Sequence, residues 1–310
     1  MNTTSRLEFV RTPDERFALL PGFPYPPRYV EDLHGYAGLR VHYVDENPAG
    51  TPSGRTFLCL HGQPTWSYLY RRMLPVFTSA GHRVVAPDLL GFGRSDKPVD
   101  DSVYGFTFHR NLLLRFFERL QLERVTLVVQ DWGGLLGLTL PQEFPQRIDR
   151  LLVMNTGLGV GRSPGPGFDA WKAFVASKPD FDVAALMQRS CPHLSGAEAA
   201  AYAAPFPDRT YRAGPRTFPS LVPVTSDMDG VAVSRQAATY LQEQWRGTTF
   251  MAIGMQDPVL GPHVMRALAQ RIRGCMPPLE LLQAGHFVQE WGDQVASQAL
   301  LAFGDTGPAG

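Results

Sequence analysis

The sequence predicts an α/β fold in which a mostly parallel central sheet is flanked by helices and interrupted by an inserted helical cap. Short β-branched, apolar runs alternate with amphipathic stretches in both halves of the chain, which indicates parallel strands joined by crossover helices. Between residues 157 and 226 strand-like runs are missing, while glycines, prolines and aromatic residues are frequent. We therefore expect a core domain formed by residues 1–156 and 227–310, and a cap formed by residues 157–226.

The strands and helices behind this prediction follow one another in a regular order. Apolar or alternating runs predict strands at residues 39–44, 56–60, 83–86, 125–129, 151–154, 249–253 and 279–282. Apolar residues at helical spacing predict core helices at residues 66–80, 106–122, 135–140, 232–245 and 263–272, and a final helix that ends near residue 301. Shorter helical pieces are predicted within the cap at residues 170–175, 183–189 and 198–204.

Composition and charge exclude several classes of function. The chain has 310 residues, of which 44% are hydrophobic, enough for one large packed α/β domain. Lys plus Arg and Asp plus Glu both number 29, which favours neither nucleic acid nor a membrane surface as a partner. The sequence opens without a signal-like apolar segment and contains no apolar run long enough to span a bilayer. We expect a cytoplasmic protein, and we expect it to be a monomer.

Cysteine spacing and glycine spacing give no sign of a metal or a cofactor. Cys59, Cys191 and Cys275 are widely separated and lack the pattern of metal ligands, so we expect reduced, mostly buried thiols. The stretch Gly91-Phe-Gly-Arg-Ser95 lacks the third glycine of a dinucleotide fingerprint, because residue 96 is Asp, and we interpret it as a turn.

The stretch Val125-Thr-Leu-Val-Val-Gln-Asp-Trp-Gly-Gly134 carries the first candidate residue. A buried strand breaks there into a helix through small residues, which is typical of the nucleophile elbow of α/β-hydrolases. Asp131 takes the place of the usual Ser or Cys. Val129 stands where a small residue is usual, so only the Gly133 side of the pattern fits. The alternative is that Asp131 is an N-cap of the following helix.

Two further candidates follow later strands. Asp257 ends Gly254-Met-Gln-Asp257, after the strand predicted at residues 249–253, and His286 lies in Ala284-Gly-His-Phe287, after the strand predicted at 279–282. Open α/β sheets place their sites at the carboxyl ends of strands, and the order nucleophile, acid, histidine is that of the hydrolase triad. Singly, Asp257 could cap a helix and His286 could be structural. Together with Asp131 they predict a catalytic triad.

A fourth feature is the turn His61-Gly-Gln-Pro64, directly after an early strand. Such a turn can direct a backbone N–H toward the elbow, and the residue after the nucleophile supplies a second donor. We therefore assign a predicted oxyanion hole to the backbone N–H groups of Gln63 and Trp132. A purely structural Gly-x-Pro turn is the alternative.

A carboxylate nucleophile has chemical consequences. Its ordinary pKa is about 3.9, so it is ionised at neutral pH and needs no base in order to attack. It suits displacement of a leaving group from a saturated carbon, which forms an alkyl ester. A histidine held by a second carboxylate can then activate water to hydrolyse that ester.

Two tryptophans are candidates for binding the leaving group. Trp132 follows the predicted nucleophile, and Trp171 lies within Phe168-Asp-Ala-Trp-Lys172 of the expected cap. An indole N–H donates a hydrogen bond and cannot accept one, which suits a large, weakly hydrated halide. Packing within the cap is the alternative for Trp171.

The sequence closely resembles the haloalkane dehalogenases, particularly the subgroup that includes the 1,2-dichloroethane-hydrolysing enzyme. The matching stretches are His61-Gly-Gln-Pro-Thr-Trp-Ser-Tyr-Leu-Tyr-Arg71, Gly91-Phe-Gly-Arg-Ser-Asp-Lys-Pro98, Thr126-Leu-Val-Val-Gln-Asp-Trp-Gly-Gly134, Ala203-Ala-Pro-Phe-Pro-Asp208, Phe250-Met-Ala-Ile-Gly-Met-Gln-Asp257 and Ala284-Gly-His-Phe-Val-Gln-Glu290. The resemblance covers nearly the whole chain. It implies that a halogenated alkane and water react to give a primary alcohol, halide and a proton, without a metal or another cofactor.

The resemblance also implies roles for individual residues. Asp131 matches the nucleophile, Asp257 the acid and His286 the base, while Trp132 and Trp171 match the two halide-binding tryptophans. A second subgroup places its acid after the preceding strand, where this chain has Asn155-Thr-Gly157, which supports Asp257. The resemblance places four residues in the wall of the substrate pocket: Phe168, Phe218, Val222 and Leu260.

Two departures from the dichloroethane enzyme affect the pocket. Gln63 replaces a glutamate, which keeps the backbone donor and changes the charge nearby. The segment 158–167 looks shorter than that enzyme's entry to the cap, so pocket volume and preferred chain length do not carry over.

Two other functions fit parts of the pattern. An epoxide hydrolase resembles this fold and triad, and it needs cap tyrosines to protonate the epoxide oxygen, for which Tyr202 and Tyr211 are candidates. A non-catalytic ligand-binding protein of hydrolase type is the other. Such proteins usually have a damaged site, whereas this triad is complete.

Overall fold

The computed structural model describes residues 7–36, 38–48 and 50–305. Residues 1–6, 37, 49 and 306–310, which include both ends of the expected core ranges, lie outside the described part. The strands are β1 (Phe9–Val10), β2 (Arg28–Val30), β3 (Val41–Glu46), β4 (Thr56–Leu60), β5 (Arg83–Pro87), β6 (Lys97–Pro98), β7 (Val125–Gln130), β8 (Ile148–Met154), β9 (Thr248–Gly254) and β10 (Leu279–Leu281).

Eight of these strands form one sheet in the order β10-β9-β8-β7-β4-β5-β3-β2. Each neighbouring pair among β10, β9, β8, β7, β4 and β5 is parallel, whereas β3 pairs antiparallel with both β5 and β2. The prediction of a mostly parallel sheet is confirmed. The short strands β1 and β6 pair with each other in a separate antiparallel ribbon, and neither they nor β2 were predicted, because two or three residues show no periodicity.

Strand β7 lies in the middle of the sheet, and all six of its residues are buried. Its β-branched and apolar residues suit a strand that is covered on both faces. The register pairs Leu60 of β4 with Val129, and Gln130 with Met154 of β8. The carboxyl ends of three neighbouring strands therefore meet at one edge, where the chain continues into Asp131.

The helices are α1 (Leu74–Ser79), α2 (Phe106–Arg119), α3 (Trp132–Gly137), α4 (Pro166–Ser177), α5 (Val183–Ser190), α6 (Gly196–Ala203), α7 (Ala213–Leu221), α8 (Val231–Thr239), α9 (Pro262–Ala269) and α10 (Gly292–Phe303). Short 3-10 helices occur at Asp14–Phe17, Ser67–Tyr70, Asp101–Val103, Arg209–Arg212 and Val288–Trp291, and a π-helical turn at Tyr240–Gln244. Helices α1, α3, α9 and α10 contact the sheet directly. No helix of the described ranges is long and apolar enough to cross a membrane.

One predicted core helix is broken in the structure. The single helix expected at residues 66–80 is instead a 3-10 turn at Ser67–Tyr70 followed by the short α1. Pro75 lies in the first turn of α1, the one part of a helix that tolerates a residue without a backbone N–H. The proline therefore starts a new helix instead of continuing the old one.

The inserted segment (residues 157–226) contains α4 to α7. Two of its helices begin at polar caps: Asp182 accepts from the N–H of Ala185 at the start of α5, and Ser195 and Glu198 form a capping box at the start of α6. The three predicted pieces correspond to α4, α5 and α6. Helix α7 was not predicted, because it contains two prolines, which disfavour a helical interior.

The three cysteines are free, as expected. Cys59 and Cys191 are buried and Cys275 is half-buried. Burial raises the pKa of each thiol, so all three are inert small apolar groups at neutral pH.

Candidate active site

Asp131 occupies the sharp turn between β7 and α3. Its backbone has φ 50° and ψ −125°, a strained conformation for a residue with a side chain. Its side chain makes no capping hydrogen bond to α3. Its Oδ1 instead accepts a hydrogen bond of 2.8 Å from the backbone N–H of Gln63. The helix-cap alternative therefore fails, and the turn holds the carboxylate clear of the sheet.

Two glycines make this turn possible by allowing close approach. A Cβ on Gly133 would lie 2.0 Å from the carbonyl oxygen of Leu60, so α3 could not begin so close to β4. A Cβ on Gly62 would lie 2.3 Å from Oδ1 of Asp131. The backbone of residues 62 and 63 can therefore reach the carboxylate only because residue 62 has no side chain.

The three predicted triad residues meet at the edge of the sheet. Nε2 of His286 lies 3.6 Å from Oδ2 of Asp131, and Nδ1 of His286 lies 2.8 Å from Oδ2 of Asp257. Asp257 is buried and follows β9, while His286 follows β10 and is partly exposed. The imidazole thus lies between two carboxylates, with one ring nitrogen facing each.

The two carboxylates determine the protonation of His286. Burial of the imidazole lowers its pKa, but the charge of Asp257 and then the contact with Asp131 outweigh burial and raise the pKa to about 10. For Asp257, burial raises the pKa, yet the charge and hydrogen bond of His286 lower it by more. In the free site the two carboxylates therefore favour the protonated form of the imidazole.

Asn155 is a residue of this site whose role the sequence did not reveal. It follows β8 and is fully buried. Its Nδ2 donates to Oδ2 of Asp257 at 2.8 Å, and its Oδ1 accepts from the N–H of Gly254 at 2.8 Å. The signal in the sequence is a polar residue directly after a buried strand, at the position where the second subgroup places its acid.

Of the two backbone donors predicted for the oxyanion hole, one reaches Asp131 in the structure. The N–H of Gln63 donates to Oδ1 of Asp131, whereas the N–H of Trp132 makes no hydrogen bond to that oxygen in the described structure. The preceding loop is fixed by His61, whose Nε2 accepts from the N–H of Leu89 at 2.9 Å. The turn after β4 is therefore held in position by the segment that follows β5.

The two candidate halide-binding tryptophans differ from Trp66 and Trp245 in the hydrogen bonding of the indole N–H. Nε1 of Trp66 donates to the carbonyl of Ala201, and Nε1 of Trp245 donates to Oγ1 of Thr249. Within the described residues, neither Trp132 nor Trp171 has a protein acceptor for Nε1, and both line the cavity above Asp131. Because a donor facing a largely apolar cavity needs a partner from the ligand, this arrangement suits an anionic leaving group.

The cavity over Asp131 has a volume of about 1000 Å³ and lies between the sheet edge and the inserted segment. Phe168, Val222 and Leu260 line it, as expected. Phe218 is not in its wall, in contrast to the expectation. It is fully buried behind Trp132, with ring centroids 4.5 Å apart, because it lies on the inner side of α7. Phe218 supports the tryptophan instead of contacting the ligand space.

Neither tyrosine proposed for an epoxide hydrolase reaches this cavity. The hydroxyl of Tyr202 is fully buried against Glu290 and Arg71, and Tyr211 lies in the short helix Arg209–Arg212. Both are missing from the residues that line the cavity. Protonation of an epoxide oxygen by these tyrosines is therefore not supported. Within the described ranges, no group of three His, Cys, Asp or Glu residues could hold a metal ion.

Comparisons with known proteins agree with this geometry. Residues 55–293 match the family model described as alpha/beta hydrolase fold. The chain is 40% identical to a haloalkane dehalogenase of Psychrobacter cryohalolentis over 303 residues, which cover 96% of this chain and 98% of that one. It is 43% identical to haloalkane dehalogenase 1 of Mycobacterium bovis over 300 residues, which cover 95% and 98%.

A solved structure gives the same result. The tetrameric haloalkane dehalogenase DpaA from Paraglaciecola agarilytica superposes with a TM-score of 0.92 at 49% identity, covering 95% of this chain and 98% of the other. The match covers both chains almost completely. The chain belongs to the haloalkane dehalogenase family of the α/β-hydrolase fold.

Proposed function

We propose that this protein hydrolyses haloalkanes to a primary alcohol, halide and a proton through a covalent ester on Asp131. In the first step, Oδ2 of Asp131 attacks the halogen-bearing carbon. The carbon–halogen bond breaks as the carbon–oxygen bond forms, and the halide leaves with the bonding electrons. The observation that carries this proposal is the position of the Asp131 carboxylate at the elbow. Its Oδ1 accepts from the N–H of Gln63, and its Oδ2 faces His286.

In the second step, water attacks Cγ of the ester and His286 takes one proton of that water. The Cγ–Oδ2 bond then breaks, and the alcohol leaves with the former Oδ2 and the second proton of the water, which restores the carboxylate of Asp131. For this His286 must be neutral. Alkylation removes the negative charge of Asp131, which is one of the two charges that raise the pKa of His286 in the free site. The first step therefore lowers the pKa of the base that the second step needs, while Asp257 continues to orient it.

The halide is bound by the indole N–H groups of Trp132 and Trp171. Their lack of protein acceptors in the described structure supports this assignment, because each donor would otherwise remain unsatisfied beside the leaving group. The oxyanion that forms on Oδ1 in the second step is stabilised by the N–H of Gln63 and, after a small shift, by that of Trp132.

We further infer that residues 157–226 act as a cap over a core made of the rest of the chain. Residues of α4 and α7 line the cavity on the side opposite to Asp131. A cavity of about 1000 Å³ has room for a haloalkane that is longer than two carbons.

A single turnover in water labelled with ¹⁸O tests the ester mechanism. With enzyme in excess over 1-bromobutane, the alcohol should carry ordinary oxygen, because its oxygen comes from Asp131. The label should appear in the peptide that contains Asp131. Labelled alcohol in this first turnover would mean direct attack of water on the substrate, and the proposal would fail.

The site does not need a second chain, since every assigned residue comes from one. The expectation that the protein is a monomer remains a prediction, and the Paraglaciecola relative is tetrameric. Static light scattering on the purified protein decides between the two.

A further inference from the structure

Helix α7 has a backbone carbonyl that its own helix cannot satisfy. In an α-helix the carbonyl of Pro215 would accept from the N–H of residue 219. Residue 219 is proline and has no N–H. A buried carbonyl without a partner costs free energy, and Pro215 is buried, so this oxygen needs a donor from elsewhere.

The donor comes from the loop beside the nucleophile. Nε2 of Gln63 donates to the carbonyl of Pro215 at 2.8 Å, over a separation of 152 residues in sequence. Gln63 is 5% exposed, so water competes little for this bond. The amide of Gln63 can donate this bond, whereas an ionised glutamate side chain has no donor and would place its charge against the carbonyl.

The same residue also holds Asp131. The backbone N–H of Gln63 donates to Oδ1 of Asp131 at 2.8 Å. One residue therefore connects the inserted segment, through its side chain, to the nucleophile, through its backbone. A second contact runs in parallel, since Phe218 of α7 packs on Trp132.

We propose that Gln63 is a positioning residue whose side chain ties helix α7 to the oxyanion donor, so that the position of α7 determines how well the N–H of residue 63 is aimed at Asp131. This inference rests on the proposed function of Asp131. Pro219 and Val222 line the cavity, so a bound substrate that presses on α7 acts on the oxyanion donor through this tie.

The tie should matter more in one chemical step than in the other. During alkylation Oδ1 loses negative charge, because Asp131 becomes an ester. During ester hydrolysis Oδ1 becomes the oxyanion of the tetrahedral intermediate, and a misplaced donor then costs most. Loss of the tie should therefore slow hydrolysis of the alkyl-enzyme and leave alkylation nearly unchanged.

The test uses Gln63→Met, which removes the side-chain donor and keeps the length and the backbone N–H. The matched control is Arg216→Met, which breaks another tie of α7 to the core, the ion pair of Arg216 with Asp101 on the surface. Rapid-quench mass spectrometry with 1-bromobutane gives the rates of both steps. We expect hydrolysis to slow roughly tenfold in Gln63→Met, the effect of one hydrogen bond to the intermediate. In Arg216→Met we expect less than about a twofold change.

Pro219→Ala provides a second test with Gln63 intact. Alanine supplies an N–H inside α7 for the carbonyl of Pro215, so this oxygen no longer depends on Gln63 alone and the tie weakens. We expect a smaller slowing of hydrolysis than in Gln63→Met, and no further slowing when the two changes are combined. This variant carries the test if Gln63→Met does not fold.

Two results would overturn the inference. The first is an unchanged rate of ester hydrolysis in both Gln63→Met and Pro219→Ala. The second is a slowing in Arg216→Met as large as that in Gln63→Met, which would mean that the whole segment has loosened. Failure of the proposed function is distinguishable, because then no alkyl-enzyme would form in any of these proteins.

Discussion

Asn155 and His286 bind the same oxygen of Asp257, each at 2.8 Å. Oδ2 thus accepts two hydrogen bonds, while Oδ1 accepts one from the N–H of Val259 at 2.8 Å. Three donors compensate a carboxylate that is otherwise buried, which explains how Asp257 stays ionised beneath the histidine.

Asn155→Ala should therefore remove one of the hydrogen bonds that hold the Asp257 carboxylate in place, and leave Asp131 unchanged. We expect ester hydrolysis to slow about tenfold and alkylation to stay unchanged, because only the second step needs an oriented base. Loss of the buried hydrogen bonds should also lower the free energy of unfolding by about 1–3 kcal/mol. In stopped-flow experiments, the first burst of halide gives the rate of alkylation and the later steady release gives the rate of ester hydrolysis. Urea denaturation gives the free energy of unfolding. A loss of stability with normal hydrolysis would make Asn155 structural only.

The raised pKa of His286 predicts a pH dependence of stability. A group with a raised pKa in the folded state stabilises the protein fully below its unfolded pKa of about 6.5, and this contribution disappears as pH rises through the folded pKa. The folded pKa is about 10. The difference in unfolding free energy between wild type and His286→Gln should be largest near pH 6 and should shrink steadily toward pH 10. Urea titrations across this range measure it, and a constant difference would contradict the assignment.

A buried ion cluster fastens α6 to the core close to the catalytic loop. Arg71 donates to both oxygens of Glu290 at 2.7 and 2.8 Å and to Glu198 of α6 at 2.9 Å. Glu290→Gln should destabilise the fold by about 3–5 kcal/mol, because it leaves a buried guanidinium partly uncompensated.

The double change Arg71→Met with Glu290→Met is the control for this cluster. It removes both buried charges, so the loss of unfolding free energy should be smaller than the sum of the losses in Arg71→Met and Glu290→Met alone. Thermal and urea unfolding give the values. Additive losses would show that the two side chains do not interact as described.

The halide assignment predicts a specific loss in Trp171→Phe. Bromide quenching of tryptophan fluorescence should weaken, and alkylation should slow about tenfold, because one donor to the leaving group is missing. Trp291→Phe is the matched control, since Trp291 is half-buried and does not line the cavity. If quenching is unchanged in Trp171→Phe, the residue belongs to the aromatic packing with Phe174 and Phe181.

The sheet, and the meeting of the three predicted triad residues at its edge, follow from local patterns in the sequence. Asp131, Asp257 and His286 each come directly after an apolar run, and parallel strands bring such positions to one edge. The pairing of β8 with β9, which places Asn155 against Asp257, leaves no local trace.

The inserted segment was predicted less well, for a physical reason. Helix α7 breaks the usual propensity with Pro215 and Pro219, so neither its existence nor the direction of Phe218 could be derived from periodicity. The carbonyl that Gln63 binds is free only because of Pro219, and recognising that requires the helix to be known first.

The central claim is that Asp131 attacks without help and that His286 acts only in the second step. His286→Gln removes the base and leaves the nucleophile, so mixing this variant with 1-bromobutane measures the order of events most directly. We predict a burst of about one halide per active site that then stops, with the mass of a butyl group gained on the peptide containing Asp131. Asp131→Ala should give neither burst nor adduct. A correctly folded His286→Gln protein that releases no halide and gains no mass would contradict the assignment of roles.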